Sequence, residues 1–201
     1  MDEQLTSSVS KEDLVERSKF LYDLLSLEFQ VDDDVNFFPD FNQVLERMSE
    51  RNLISLNNEE QQIFISQKEN YIFISSLLFP FIDSFWVASV ALNSLLGRSM
   101  KESTFLSTSV WLMEKFFVEN VVSFYDCCSL EIMKNAVKHF EKNGIIYFSL
   151  QDEIKLSQSM DLNSNLTNFN SRIFQYRKIP FHKYSKKRGE VSQYPLFVSK
   201  I

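Results

Sequence analysis

The sequence predicts a mainly α chain, a helical bundle with two small helix-plus-β-hairpin units of winged-helix-like form. Three observations carry that expectation. Only three Gly and four Pro stand among the 201 residues, too few for a turn-rich sandwich. A long apolar stretch from Tyr71 to Leu96 supplies material for a helical core. A helix followed by strand, turn and strand occurs twice, from Val44 and again from Val137. With 44% of its residues hydrophobic and 24% charged, the chain can bury a substantial core as one domain or two small ones.

Residues 1–9 are expected to fray. Ser10, with Asp13 three residues on, forms a helix N-cap, and the helix runs to about Phe29 with Leu14, Leu21 and Leu25 along one face. The acidic turn around Asp32, Asp33 and Asp34 then leads toward Pro39. A calcium loop needs alternately spaced oxygens, a glycine and a distal Glu, and this turn has none of them, so it is expected to be a solvated loop. The next helix, about 41–51, places Phe41, Val44, Leu45 and Met48 at the spacing that buries one face. Strands are expected near Leu53–Leu56 and Ile63–Ser66, which brings the first helix-plus-hairpin unit to about 41–67.

The stretch Tyr71–Leu96 is about long enough to span a bilayer, for which roughly 20 apolar residues suffice. Its composition favours protein interior instead. An ionised Asp83 at mid-depth would cost about 3 kcal/mol, five serines and Asn93 dilute the hydrocarbon, and neither flank carries a Lys/Arg cluster. The expected structure is a buried helix pair, broken or kinked at Pro80, with Asp83 capping the second helix.

A further helix opens at Ser103 or Thr104 and runs to about Tyr125, striped by Leu106, Val110, Met113, Phe117, Val121 and Phe124. Trp111, Phe116 and Phe117 on it form an aromatic row that either packs in the core or lines an acyl site. In the second helix-plus-hairpin unit, 129–158, Ile132, Met133, Ala136, Val137 and Phe140 stripe a helix stopped by Gly144, ahead of strands near Ile145–Ser149 and Ile154–Leu156. Residues 1–158 are thus expected to be one helical domain. Residues 159–201 are expected to be an Asn/Ser-rich linker, to about Asn170, and a basic tail.

Charge is distributed unevenly. Residues 1–60 hold fifteen acids and five bases, whereas from Ser171 on there are eight Lys/Arg against the single Glu190. Arg172, Arg177, Lys178, Lys183, Lys186, Lys187 and Arg188 are the candidate contacts for an anionic membrane surface; the alternative is a tail docked on the acidic end of its own chain. The pI of about 5.1 and the sparse Lys134, Lys138 and Lys142 argue against nucleic acid as a partner. Adjacent Cys127 and Cys128 suit neither a disulfide between them nor a metal site and fit a reducing, intracellular compartment. The acidic N-terminal segment lacks the basic and apolar regions of a secretory signal.

Three segments, in order, resemble the C-terminal region of glycerol-3-phosphate and dihydroxyacetone-phosphate acyltransferases. They are Ser10-Lys-Glu-Asp-Leu-Val-Glu-Arg-Ser-Lys-Phe-Leu, the run Pro80-Phe-Ile-Asp-Ser-Phe-Trp followed by Val-Ala-Ser-Val-Ala-Leu, and Ser129 to Gln158. The resemblance implies a place in glycerophospholipid synthesis, association with a membrane, and a catalytic acyltransferase domain as partner or as part of the same protein. It also implies a His base held by an Asp five positions later. Five positions after His139 stands Gly144, and five after His182 stands Lys187. The family's Arg-Arg motif and its Pro-Glu-Gly-Thr-Arg segment are missing too, and no nucleophile elbow, P-loop or zinc-spaced Cys/His set replaces them. No catalytic residue, cofactor or metal site is therefore assigned. The expected function is that of a non-catalytic accessory portion; the alternative is a winged-helix-like scaffold for protein or nucleic acid unconnected with lipid synthesis.

Overall fold

A computed structural model of the chain describes residues 8–29, 37–57, 62–66 and 68–177. It divides into two compact units, Met1–Leu78 and Phe79–Ile201. The acidic turn at Asp32–Asp34 and the basic residues from Lys178 onward lie outside the described residues.

The first unit begins with β1 (Ser8–Ser10) and α1 (Lys11–Leu25). Ser10 ends the strand in an extended conformation, and its Oγ accepts the Asp13 N–H at 3.2 Å, satisfying one of the donors that a helix N-terminus leaves free. The helix stops at Leu25, four residues short of the expected end, with Leu24 and Leu25 buried. Next come α2 (Phe37–Glu50), β2 (Ile54–Asn57), β3 (Gln62–Ile65) and α3 (Lys68–Ser76). The three strands form an antiparallel sheet in the order β1-β3-β2, with Ile63 opposite both Val9 and Leu56. Leu45, Ile54 and Ile63 make its small core, against which Val9, Leu14, Phe41 and Met48 pack. Val44, expected in the buried stripe, is 50% exposed.

The second unit is built on α4 (Phe79–Ala91), which packs against α5 (Glu102–Val118), α6 (Leu130–Lys142) and α7 (Asn163–Phe174). A helix that is apolar all round must be enclosed, and Ile82, Phe85, Val87, Ala88, Val90 and Ala91 are all buried. Its serines are absorbed by backbone: Ser84 Oγ donates to the carbonyls of Pro80 and Cys127, at 2.9 and 3.0 Å, and Ser89 Oγ to that of Trp86 at 2.7 Å. After a 3₁₀ turn at Leu92–Leu95 the sheet follows, formed by β4 (Met100–Lys101), β5 (Ile146–Phe148) and β6 (Glu153–Leu156) in the order β4-β6-β5.

Both units therefore share one plan of strand, helix, helix and hairpin, with the last strand in the middle of the sheet. The match extends to single hydrogen bonds. α2 and α6 each end on a left-handed residue, Asn52 (φ 56) and Gly144 (φ 65). The Leu53 N–H reaches Met48 O and the Ile145 N–H reaches Phe140 O, a six-residue closure in each case. Ser66 then donates to Leu53 O, and Ser157 to Ile145 O. These bonds pair Leu45 with Val137, a shift of one residue from an alignment that sets Val44 above Val137.

Four expectations are corrected. The apolar stretch does break at Pro80, which sits in the first turn of α4, where its missing N–H is harmless. Only its second half is core, since Phe73, Ile74 and Leu77 around the end of α3 are exposed. Asp83 is not a cap; it lies within α4. α5 ends at Val118 and not near Tyr125, because Asn120 takes a left-handed conformation (φ 54) and the Val121 N–H closes onto Phe116 O. The expected linker contains α7, which buries Leu166, Asn170 and Ile173 at helical spacing beneath an Asn/Ser-rich exterior.

Removing the Phe85 side chain, fully buried and edge-on to Phe140 at 6.4 Å, deletes the centre of this packing. Phe85→Ala is expected to destabilise the chain by about 3–5 kcal/mol in denaturant titration, whereas Leu150→Ala, in a fully exposed turn, leaves the midpoint nearly unchanged.

Candidate functional site

A carboxylate inside an apolar helix demands a partner, because an unpaired charge in a dry interior is strongly disfavoured. Asp83 finds it 94 positions along the chain: Arg177 Nε donates to Asp83 Oδ1, and both side chains are 3% exposed. A second guanidinium nitrogen donates to Val121 O at 2.8 Å. The planar cation lies 3.7 Å from the centroid of the Trp86 ring, within cation–π range, and Trp86 is stacked on Phe116 with Phe174 tilted beside it. Burial pushes the Asp83 carboxyl upward, and Arg177 and the Ser123 backbone pull it back. The cluster thus ties α4, the residues after α5 and the end of α7 together through one guanidinium.

His139 is buried on α6, edge-on to Phe85 at 5.9 Å, with its Nε2 3.2 Å from Asn143 Nδ2. Burial and Lys142 lower its pKa to about 4, so it is neutral and enclosed near neutral pH. Cys127 is likewise buried and its thiol is pushed up to about 12 by burial, with Asp83 and Cys128 adding to the effect, which makes it a poor nucleophile. Among the described residues no three His, Cys, Asp or Glu are grouped to hold a metal ion.

One open apolar groove of about 500 Å³ runs between α5 and α6, lined by Leu106, Val110, Trp111 and Leu130 with Glu114 and Lys134 at its edge. Of the expected aromatic row, only Trp111 lines it. Trp111 is exposed beneath Lys115, Phe116 packs on Trp86, and Phe117 packs on Tyr125.

The candidate membrane contacts separate in the structure. Arg172 is exposed on α7, whereas Arg177 is sealed in the interior and is withdrawn from that set. Lys178, Lys183, Lys186, Lys187 and Arg188 lie outside the described residues. The Asp83–Arg177 pair was missed by sequence reasoning, although an acid amid apolar neighbours signals a buried counter-charge.

Among the described residues, no helix is long and apolar enough to cross a membrane. The class of protein is thus a mainly helical one, with two helix-plus-hairpin units and a buried Asp83–Arg177 pair in the second. The family described as "Glycerol-3-phosphate acyltransferase C-terminal region" matches residues 3–149, and the chain belongs to that family. No curated protein matches the chain.

Two outcomes follow from the geometry. Arg177→Met or Asp83→Leu alone strands a buried charge and is expected to cost about 3–5 kcal/mol; the double variant should cost much less than the sum, as a double-mutant cycle in urea would measure. For His139 the folded pKa lies below the unfolded one. Its contribution to stability is complete above about pH 6.5 and is lost as pH falls toward 4, by up to about 3 kcal/mol. His139→Phe should remove that part of the acid sensitivity, read as the difference between the two pH–stability curves.

Proposed function

We propose that the chain is the non-catalytic C-terminal portion of a membrane-associated glycerol-3-phosphate acyltransferase. It braces the domain that transfers an acyl group from a thioester to the sn-1 hydroxyl in glycerophospholipid synthesis. The observation that carries this proposal is the family match over residues 3–149 in a chain whose two histidines are followed, five positions on, by Gly144 and Lys187. A general base must reach the substrate hydroxyl and hold a pKa near the working pH, and His139 is sealed against Phe85 with its pKa lowered.

The accessory region, in this proposal, extends past residue 158 to Arg177, because the α4 lock is incomplete without that residue. The basic tail beyond it, joined by exposed Arg172, attracts anionic lipid at about 1 kcal/mol per base near a charged surface. The shared order of strand, helices and hairpin supports a winged-helix-like identity for both units. Nucleic acid is disfavoured as their partner: the exposed residues of α6 include Lys134, Lys138 and Lys142 but also Glu131 and Glu141, too small a surplus to neutralise several phosphates.

The test is acyl transfer by the purified full chain, alone and co-expressed with an acyltransferase catalytic domain from the same organism. The chain alone is expected to give no turnover, and the co-expressed pair to purify together and be active. Turnover by the chain alone, abolished by His139→Ala or His182→Ala, would overturn the proposal.

A further inference from the structure

The two units are built alike but are not equally closed. The bond from Leu53 to Met48, matching that from Ile145 to Phe140, sets α2 on α6 with Val44 in the place of Ala136. The strand pairs Val9–Ile63 and Met100–Ile154 likewise set α1 on α5, with Leu14, Val15 and Leu21 in the places of Phe105, Leu106 and Leu112. In the second unit all four of these positions are buried, Ala136 and Phe105 completely. In the first, Leu14, Val15 and Leu21 are only half-buried and Val44 is 50% exposed. In the second unit α4, the apolar helix that runs into β4, packs on both α5 and α6.

We infer that the face of α1 and α2 bearing Val15, Leu21 and Val44 is a docking surface for an apolar helix that takes the place α4 holds in the second unit, and that the acyltransferase catalytic domain supplies this helix. The occupant is indicated by the molecule itself. In the closed repeat the covering element reaches its unit from the N-terminal side, and the matched family is by its description a C-terminal region, so what lies on that side in such enzymes is the rest of the acyltransferase. The chemistry of the helix follows from its counterpart: apolar on all sides, with small residues such as Ala88, Ser89 and Ala91 among its buried positions. Val44 is larger than Ala136 and leaves room only for a small side chain opposite it. Leucine-sized apolar positions on a half-exposed face also fit an interface core better than an ordinary solvated surface.

This inference rests on the accessory role proposed above, and the experiment separates the two. The tagged full chain and an acyltransferase catalytic domain from the same organism are co-expressed and captured, as wild type, Val44→Glu and Leu150→Glu. Wild type and Leu150→Glu are expected to retain the catalytic domain equally, with Val44→Glu retaining at least tenfold less while its thermal melt matches that of wild type. Capture of Val44→Glu at the wild-type level would overturn the docking surface and leave the accessory role standing; failure of the wild-type chain to retain the domain would overturn both. A wild-type chain that dimerises alone, and becomes monomeric as Val44→Glu, would assign the face to a second copy and also overturn the inference. Amide exchange on the wild-type complex needs no variant: amides of α1 and α2 are expected to exchange several-fold more slowly in the complex, and unchanged exchange there contradicts the docking.

Discussion

Burying a carboxylate within a helix that is apolar on every side is the constraint on which the second unit depends. α4 can be enclosed only if the charge on Asp83 is met, and the chain meets it with Arg177, beyond the end of the last helix. That single guanidinium also binds Val121 O and lies on Trp86, so satisfying Asp83 fixes where α5 ends and where α7 stops. Such a pair adds little net stability over a well-packed apolar substitute, but with either partner alone the interior holds an uncompensated charge. Its effect is specificity: the end of the described chain must return to α4 for the unit to close.

Much of the architecture was legible because it rests on short-range rules. The Ser10 cap, the stripe of α6, the Gly144 stop and both hairpins follow from spacing and turn chemistry within a few residues. The errors arose where a tertiary partner decides the outcome. Asp83 near a proline looks like a cap until Arg177, far along the chain, is placed beside it. The segment 163–174 looks like a linker because Asn and Ser dominate its outside, while Leu166, Asn170 and Ile173 alone carry its packing. The end of α5 depends on Asn120 adopting a left-handed conformation, which asparagine tolerates but does not announce.

The same division explains why the site was harder to read than the fold. A basic tail invites a single electrostatic account, yet Arg177 belongs to the interior and Arg172 to the surface, a distinction composition cannot make. A histidine invites a catalytic account, yet His139 is held by Asn143 and Phe85 as a neutral packing residue. Family membership supplies the link to glycerol-3-phosphate acyltransferases, and the structure contributes two copies of one plan, with the apolar helix α4 packed on α5 and α6 in the second and Val44 of α2 half-exposed in the first.

The central claim, that α4 is protein interior locked by Arg177, is tested most directly by amide hydrogen exchange across Ile82–Val90 in the full chain without detergent or lipid. These amides are expected to be among the slowest in the protein, exchanging only through global unfolding. Exchange there as fast as in α3, or protection that appears only when detergent is added, would contradict the account.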